Sequence, residues 1–109
     1  MARRTHEVET DGLLRAMAAY RRRAIMVLVS DRERSAGEIA AEFDVSRTAI
    51  SQHLTVLKEA GLISERRQGT RRLYRAERER LAQLRDALDG IWGDALISAK
   101  SIVEADREG

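Results

Sequence analysis

The 109-residue sequence predicts a mainly α domain with a small β-hairpin. Three observations carry that prediction. Apolar residues recur at helical spacing over most of the chain, no proline interrupts a long helix, and two short runs flank one Gly-centred turn. Only Tyr20, Phe43, Tyr74 and Trp92 are aromatic, so the core must come from Leu, Ile, Val, Met and Ala, which suits helices better than sheets. A chain of this length is expected to form one domain with a radius of gyration of about 13 Å. The pattern places that domain at 12–105, its last helix starting near 77, with tails at 1–11 and 106–109.

Leu13, Leu14, Met17 and Ala18 recur at helical spacing, followed after Tyr20 by Ile25, Val27, Leu28 and Val29. Asp31-Arg32-Glu33-Arg34 reads as a solvated break. Ser35-Ala-Gly-Glu38 has the S-x-x-E form of a capping box, in which the hydroxyl accepts from an early backbone N–H and the Glu reaches back. It opens a short helix with Ile39, Ala40 and Phe43 on its apolar face. After the tight connection Asp44-Val45-Ser46, Ser46 serves as N-cap for a helix of about four turns from Arg47 to Ala60. Ile50, Leu54 and Leu57 form its buried stripe, and Gly61 follows where a left-handed residue ends a helix cheaply.

Residues 62–67 and 71–75 flank Gln68-Gly69-Thr70 as a β-hairpin. From about Glu77 the helical period returns through Leu81, Leu84, Leu88, Ile91/Trp92, Ala95/Leu96, Ala99 and Ile102/Val103. Unbroken to Ala105, that helix is about 43 Å long at ~1.5 Å per residue, longer than the domain is wide. Its stripe therefore needs a break at Gly90/Gly93 or a partner outside the monomer.

Composition excludes several classes. With no cysteine there is no disulfide framework, thiolate metal site, Fe–S cluster or thiol switch. The longest apolar run, Ala24 to Val29, is far short of the ~20 residues of a membrane helix. MARRTHEVETDG lacks the apolar stretch of a signal peptide, so a soluble cytoplasmic protein with no membrane partner is expected. No nucleophile–base pair or His–carboxylate cluster is present, so no enzyme and no cofactor is expected.

The net charge of +2 hides a pattern. Residues 1–34 carry +3, 35–64 carry −2, 65–80 carry +4 and 81–109 carry −3. Eighteen of the twenty basic residues are Arg, whose planar fork suits phosphate and guanine edges, although GC-rich coding also favours Arg over Lys.

A short helix, a three-residue turn and a longer Ser-capped helix make a helix–turn–helix, to which the hairpin adds a wing. Setting aside the buried stripe leaves Arg47, Thr48, Ser51, Gln52 and Thr55 on the second helix, short polar groups suited to base edges in a major groove. The wing's Arg66, Arg67, Arg71 and Arg72 bracket the Gly turn, a repulsive arrangement that phosphates relieve. The alternative is solvated arginines paired with Glu65, Glu77 and Glu79. Ser35, Ser46 and His53 are candidate backbone contacts, though a packing role for His53 at the helix–wing junction competes with that.

The stretch GEIAAEFDVSRTAISQHLTVLKEAGLISERRQGTRRLYRA closely resembles the ArsR family of winged-helix repressors. The marker S-x-x-x-S-x-H-L-x-x-L-x-x-A-G-L appears as Ser46-RTAI-Ser51-Gln-His53-Leu54-TV-Leu57-KE-Ala60-Gly61-Leu62, its first spacing longer by one. The likeness covers roughly Leu13 to Ala76. It implies a winged helix-turn-helix homodimer, joined through its first and last helices, that represses from an inverted repeat of double-stranded DNA. Leu13, Leu14, Met17, Leu81, Leu84, Leu88, Ile91, Trp92 and Leu96 are then the dimer candidates. Two departures stand out. Ala19-Tyr20-Arg21-Arg22 replaces the family's Asp-Pro-Thr-Arg-like turn, and neither the helix before the turn nor the last helix offers Cys or His. A Zn or Ni site needs imidazole or thiolate, so no metal is expected and any small-molecule inducer is unassigned. The competing function is a winged-helix protein-interaction module without DNA binding, against which the Arg wing and polar helix face argue.

Overall fold

The computed structural model describes the backbone of residues 2–108 and the side chains of residues 9–105. Five helices and three strands follow the order α1 (Ala2–Ala16), α2 (Tyr20–Asp31), β1 (Arg34–Ser35), α3 (Ala36–Ala41), α4 (Arg47–Glu59), β2 (Ile63–Gln68), β3 (Arg71–Ala76) and α5 (Arg78–Glu108). Side-chain caps set where the two central helices begin. Ser35 Oγ accepts from Glu38 N and the Glu38 carboxylate accepts from Ser35 N, so the capping box forms and starts α3. Ser46 Oγ accepts from Ala49 N at 3.1 Å and starts α4.

The end of α4 is fixed as firmly as its start. Gly61 N–H donates to Lys58 O and Leu62 N–H to Leu57 O, the paired bonds of a Schellman ending, with Gly61 at φ +74°. Leu57 and Leu62, brought together by that ending, are both fully buried.

The hairpin becomes a three-stranded antiparallel sheet in the order β1-β3-β2. Its loop is Gly69-Thr70, with positive φ at the glycine alone, the arrangement of a two-residue II′ turn. Register sets Glu65 opposite Tyr74 and Arg67 opposite Arg72. On the far side Arg34 pairs with Tyr74 and Ser35 with Leu73. The segment expected as a solvated break thus ends in a strand, because Arg34 and Ser35 complete the open edge of β3.

One core holds these elements together: Ile25, Met26 and Val29 of α2, Ile39 of α3, Ile50, Leu54 and Leu57 of α4, Leu62 and Ile63, and Tyr74 of β3. Leu13 of α1 and Leu84 of α5 belong to it as well.

Two differences from the sequence expectation lie at the ends. Helix α1 runs from Ala2, where a tail over 1–11 is expected, and α5 continues to Glu108 through the tail expected at 106–109. Met1 and Gly109 lie outside the described residues. Helix α5 also passes Gly90 and Gly93 without a break, so of the two solutions to its apolar stripe the internal break is excluded. The unbroken helix stretches the chain to 68 Å on its long axis and its radius of gyration to 18.2 Å, above the value expected for a sphere-like domain.

Gly61 and Gly69 make a direct test of these turns. A Cβ at Gly61 adds left-handed strain and lies 2.9 Å from Arg80 Nε, whereas one at Gly69 meets nothing within 4 Å. Gly61→Ala is expected to lower unfolding free energy by at least about 1–2 kcal/mol in urea titrations, and by more than Gly69→Ala.

Candidate nucleic-acid interface

Helix α4 is divided lengthwise by its packing. Ile50, Leu54 and Leu57 face the core, while Arg47, Thr48, Ser51, Gln52 and Thr55 are all exposed. Thr48, Ser51, Gln52 and Thr55 stand away from the core, and Arg47, exposed by its place in the first turn, lies at their edge beside the helix N-terminus, whose free N–H groups favour a nearby phosphate. Thr55 Oγ1 donates to Ser51 O at 3.0 Å, so its own proton is used inside the helix and it presents a methyl group and acceptor lone pairs outward. Ser35 and Ser46 use their hydroxyl oxygens as caps, which leaves each O–H free to donate.

The wing lies beside this face. A cleft of about 290 Å³ between the two is bordered by Arg47 of α4, Arg71 and Arg72 of β3, Thr70 of the turn and the start of α3. Three guanidinium-bearing residues from two elements therefore border one groove.

Two of the four wing arginines have protein partners that the sequence reading missed. Arg66 meets Glu33 at 2.6 Å and Arg71 meets Glu38 at 2.6 Å, both partners 33 residues away in sequence. Of the carboxylates expected as partners, Glu65, Glu77 and Glu79, none makes a salt bridge to these four among the described residues, although the charge of Arg72 acts on Glu65. Glu65 instead meets Lys58 at 3.6 Å, and the Tyr74 phenol opposite it holds its carboxyl below the usual range. Hydrogen bonding to Arg66 likewise lowers Glu33, and the Ser35 backbone N–H lowers Glu38. Arg67 and Arg72 make no salt bridge among the described residues. The pairs of Arg66 and Arg71 are exposed, hence weak, and phosphate can replace them at small cost.

His53 sits apart from the exposed polar side of α4. It lies on the flank of α4 toward α2, where Arg22 Nη1 approaches its Nδ1 at 3.3 Å. Its neighbour is thus Arg22 of α2 and not the wing, so the contact lies on the other flank of α4 from the helix–wing junction named for its packing role. Burial, then Arg22, then Arg21 hold its pKa below 6.5. Among the described residues no group of three or more His, Asp or Glu is placed to hold a metal ion.

The dimer candidates divide sharply. Leu13 and Leu84, expected in the dimer seam, are only 4% and 6% exposed in a single chain and so belong to its own core. Leu14, Met17 and Leu81 are partly buried against that core. Leu88, Ile91, Trp92 and Leu96 are exposed, Trp92 at 65% and Leu96 at 66%. With Ala95, Ala99, Ile102 and Val103 they cover about 140° of α5 at ~100° per residue. Exposed Tyr20 and Val27 on α2, and Ile97 on the other side of α5, are further large apolar residues outside that face.

The depressed His53 pKa sets a pH dependence. Below 6.5 the unfolded chain takes up a proton that the folded ring resists, so stability falls as pH drops from about 6.5 toward the lowered value. Above 6.5 this contribution is flat. Thermal melts between pH 7.5 and pH 5 are expected to lose that slope in His53→Asn, while the carboxylate-driven loss at lower pH remains.

Residues 20–65 match the family described as "Bacterial regulatory protein, arsR family". The HTH-type transcriptional regulator Rv2034 of Mycobacterium tuberculosis is 40% identical over 98 residues, spanning 90% of this chain and 92% of that protein. A crystal structure described as a "Possible transcriptional regulator for arsenical resistance" is 41% identical with a TM-score of 0.71, covering 80% of this chain and 94% of that one. The solution structure of a homodimeric winged helix-turn-helix DNA-binding domain from Mycobacterium bovis is 30% identical with a TM-score of 0.69, covering 86% and 87%. With the capped helix pair, the winged sheet and the exposed polar side of α4, these likenesses place the chain in the ArsR family of winged helix-turn-helix DNA-binding transcriptional regulators, a non-enzymatic class.

Proposed function

We propose that the chain represses transcription as a homodimer bound to an inverted-repeat operator in double-stranded DNA. The observation that carries this reading is the division of α4: one side sealed in the core, the other exposed and free of carboxylates over its first three turns. Gln52 is suited to adenine, Arg47 to guanine, and Thr48, Ser51 and Thr55 to several base edges. Arg66, Arg67, Arg71 and Arg72 contact phosphates beside the flanking minor groove, and Arg47, which borders the same cleft as Arg71 and Arg72, reaches backbone as well as base.

The exposed stripe of α5 supports the homodimer. Six large apolar side chains from Leu88 to Val103 on one face are more than a monomeric helix ordinarily leaves in water. A second copy covers them symmetrically, with Leu14 and Met17 of α1 at the margin, and sets two α4 helices about 34–36 Å apart for successive major grooves. Repression follows from exclusion of polymerase at the occupied site. No described helix is long and apolar enough to cross a membrane.

Selection from a random DNA pool is expected to return an inverted repeat, with affinity falling steeply as salt rises. A salt-insensitive complex, or none, contradicts the reading. On the selected site, Gln52→Ala is expected to change preference at one position per half-site by about 1–3 kcal/mol in competition binding. Arg72→Ala should weaken all sequences alike and reduce the salt slope by about 1 for each phosphate left without its cation. Leu96→Glu is expected to raise the dimer dissociation constant at least about tenfold in sedimentation equilibrium, by burying a charge at the seam.

A further inference from the structure

The turn between α1 and α2, Met17-Ala18-Ala19, has neither glycine nor a side chain able to cap a helix. Leu13 O and Arg15 O accept from Met17 N and Ala18 N of the turn, and the next helix supplies further donors to this end of α1. Arg22 Nε donates to Ala16 O and Arg22 Nη2 to Arg15 O at 3.1 Å, while Arg23 Nη1 donates to Met17 O at 2.7 Å. The remaining arm of Arg22 reaches His53 on α4. A guanidinium only donates, so Nδ1 of His53 accepts and the neutral ring carries its proton on Nε2. Burial and the two neighbouring arginines favour the same neutral ring.

This single side chain spans two halves of the protein. Helix α1 packs on α5, which bears the exposed apolar stripe, whereas α4 packs on α2, α3 and β2. Arg22 touches the end of α1 and the flank of α4 at once, and its planar fork leaves little freedom in the angle between them. We propose that Arg22 is a positioning residue for operator recognition: by tying the C-terminus of α1 to His53, it fixes the recognition helix relative to the dimer helices and so sets the half-site spacing the dimer accepts. This rests on the homodimer reading above.

The experiment measures binding to the selected inverted repeat and to versions with one base pair added to or removed from the spacer. Wild type is first shown to prefer one spacing; equal binding to a lone half-site and to every spacing overturns the homodimer reading and this proposal with it. If wild type prefers one spacing by about tenfold or more, Arg22→Ala is expected to reduce that preference to within about threefold, with base preference inside each half-site unchanged. His53→Leu, which removes only the acceptor on α4, is expected to flatten the preference likewise, and His53→Asn, which restores an acceptor, to recover most of it. A folded, dimeric Arg22→Ala with wild-type spacing preference overturns the proposal while leaving the homodimer reading intact. Should Arg22→Ala fail to fold, the His53 pair decides: an unchanged preference in His53→Leu overturns the proposal, and a flattened one recovered by Asn supports it. A loss of thermal stability alone, with sharp spacing retained in both variants, marks a merely structural contact and also overturns it.

Discussion

The fold depends on one helix meeting two opposite demands. Helix α4 must fill the centre of the core and still leave a continuous face for another molecule. Its sequence solves this by placing Ile50, Leu54 and Leu57 on one side and short polar groups on the other, then locking both ends so that the two sides cannot rotate out of place. The Ser46 cap fixes where the helix begins, and the Schellman ending at Gly61 fixes where it stops and sends Leu62 back into the core. The wing follows directly, because Ile63 opens β2 immediately after Leu62. Were the stripe to slip by one residue, the helix would turn by about 100° and carry Ser51 and Thr55 toward the core in place of Ile50 and Leu54.

Electrostatics in this protein work by placement and not by total charge. The chain is nearly neutral as a whole, yet Arg47, Arg71 and Arg72 converge on one cleft, and Arg66 and Arg71 carry carboxylate partners before DNA arrives. Those partners come from the segment before α3 and from α3 itself, so they also hold the wing against the helix–turn–helix. Exposed ion pairs contribute little to stability, so on the proposed reading phosphate replaces Glu33 and Glu38 at small cost.

Much of this was legible in the sequence because it is encoded locally. The Ser35–Glu38 box, the Ser46 cap, the Gly61 ending and the Gly69 turn each depend on residues within a few positions of one another. What was not legible depends on distance along the chain. Strand β1 has two residues and no period of its own, existing only because Tyr74 and Leu73 lie beside it. The Arg66–Glu33 and Arg71–Glu38 pairs join residues 33 apart, which no spacing rule reveals. Periodicity showed that Leu13 and Leu84 are apolar and on a stripe, but not whether the same chain or a second one covers them. The start of α1 is polar, so it gave no helical signal, and Gly90 and Gly93 looked like break points because each costs a helix about 1 kcal/mol. An otherwise good helix of 31 residues carries that cost without breaking.

In the proposed homodimer the apolar face of the unbroken α5 is shared and the two α4 helices lie on one side of the DNA. Hydroxyl-radical footprinting of the bound operator tests this geometry most directly. Two equivalent windows of protection are expected on one face of the duplex, about 34–36 Å apart and related by the symmetry of the site, each with a weaker flanking window from the wing. A single window, or two unequal windows off that spacing, would contradict it.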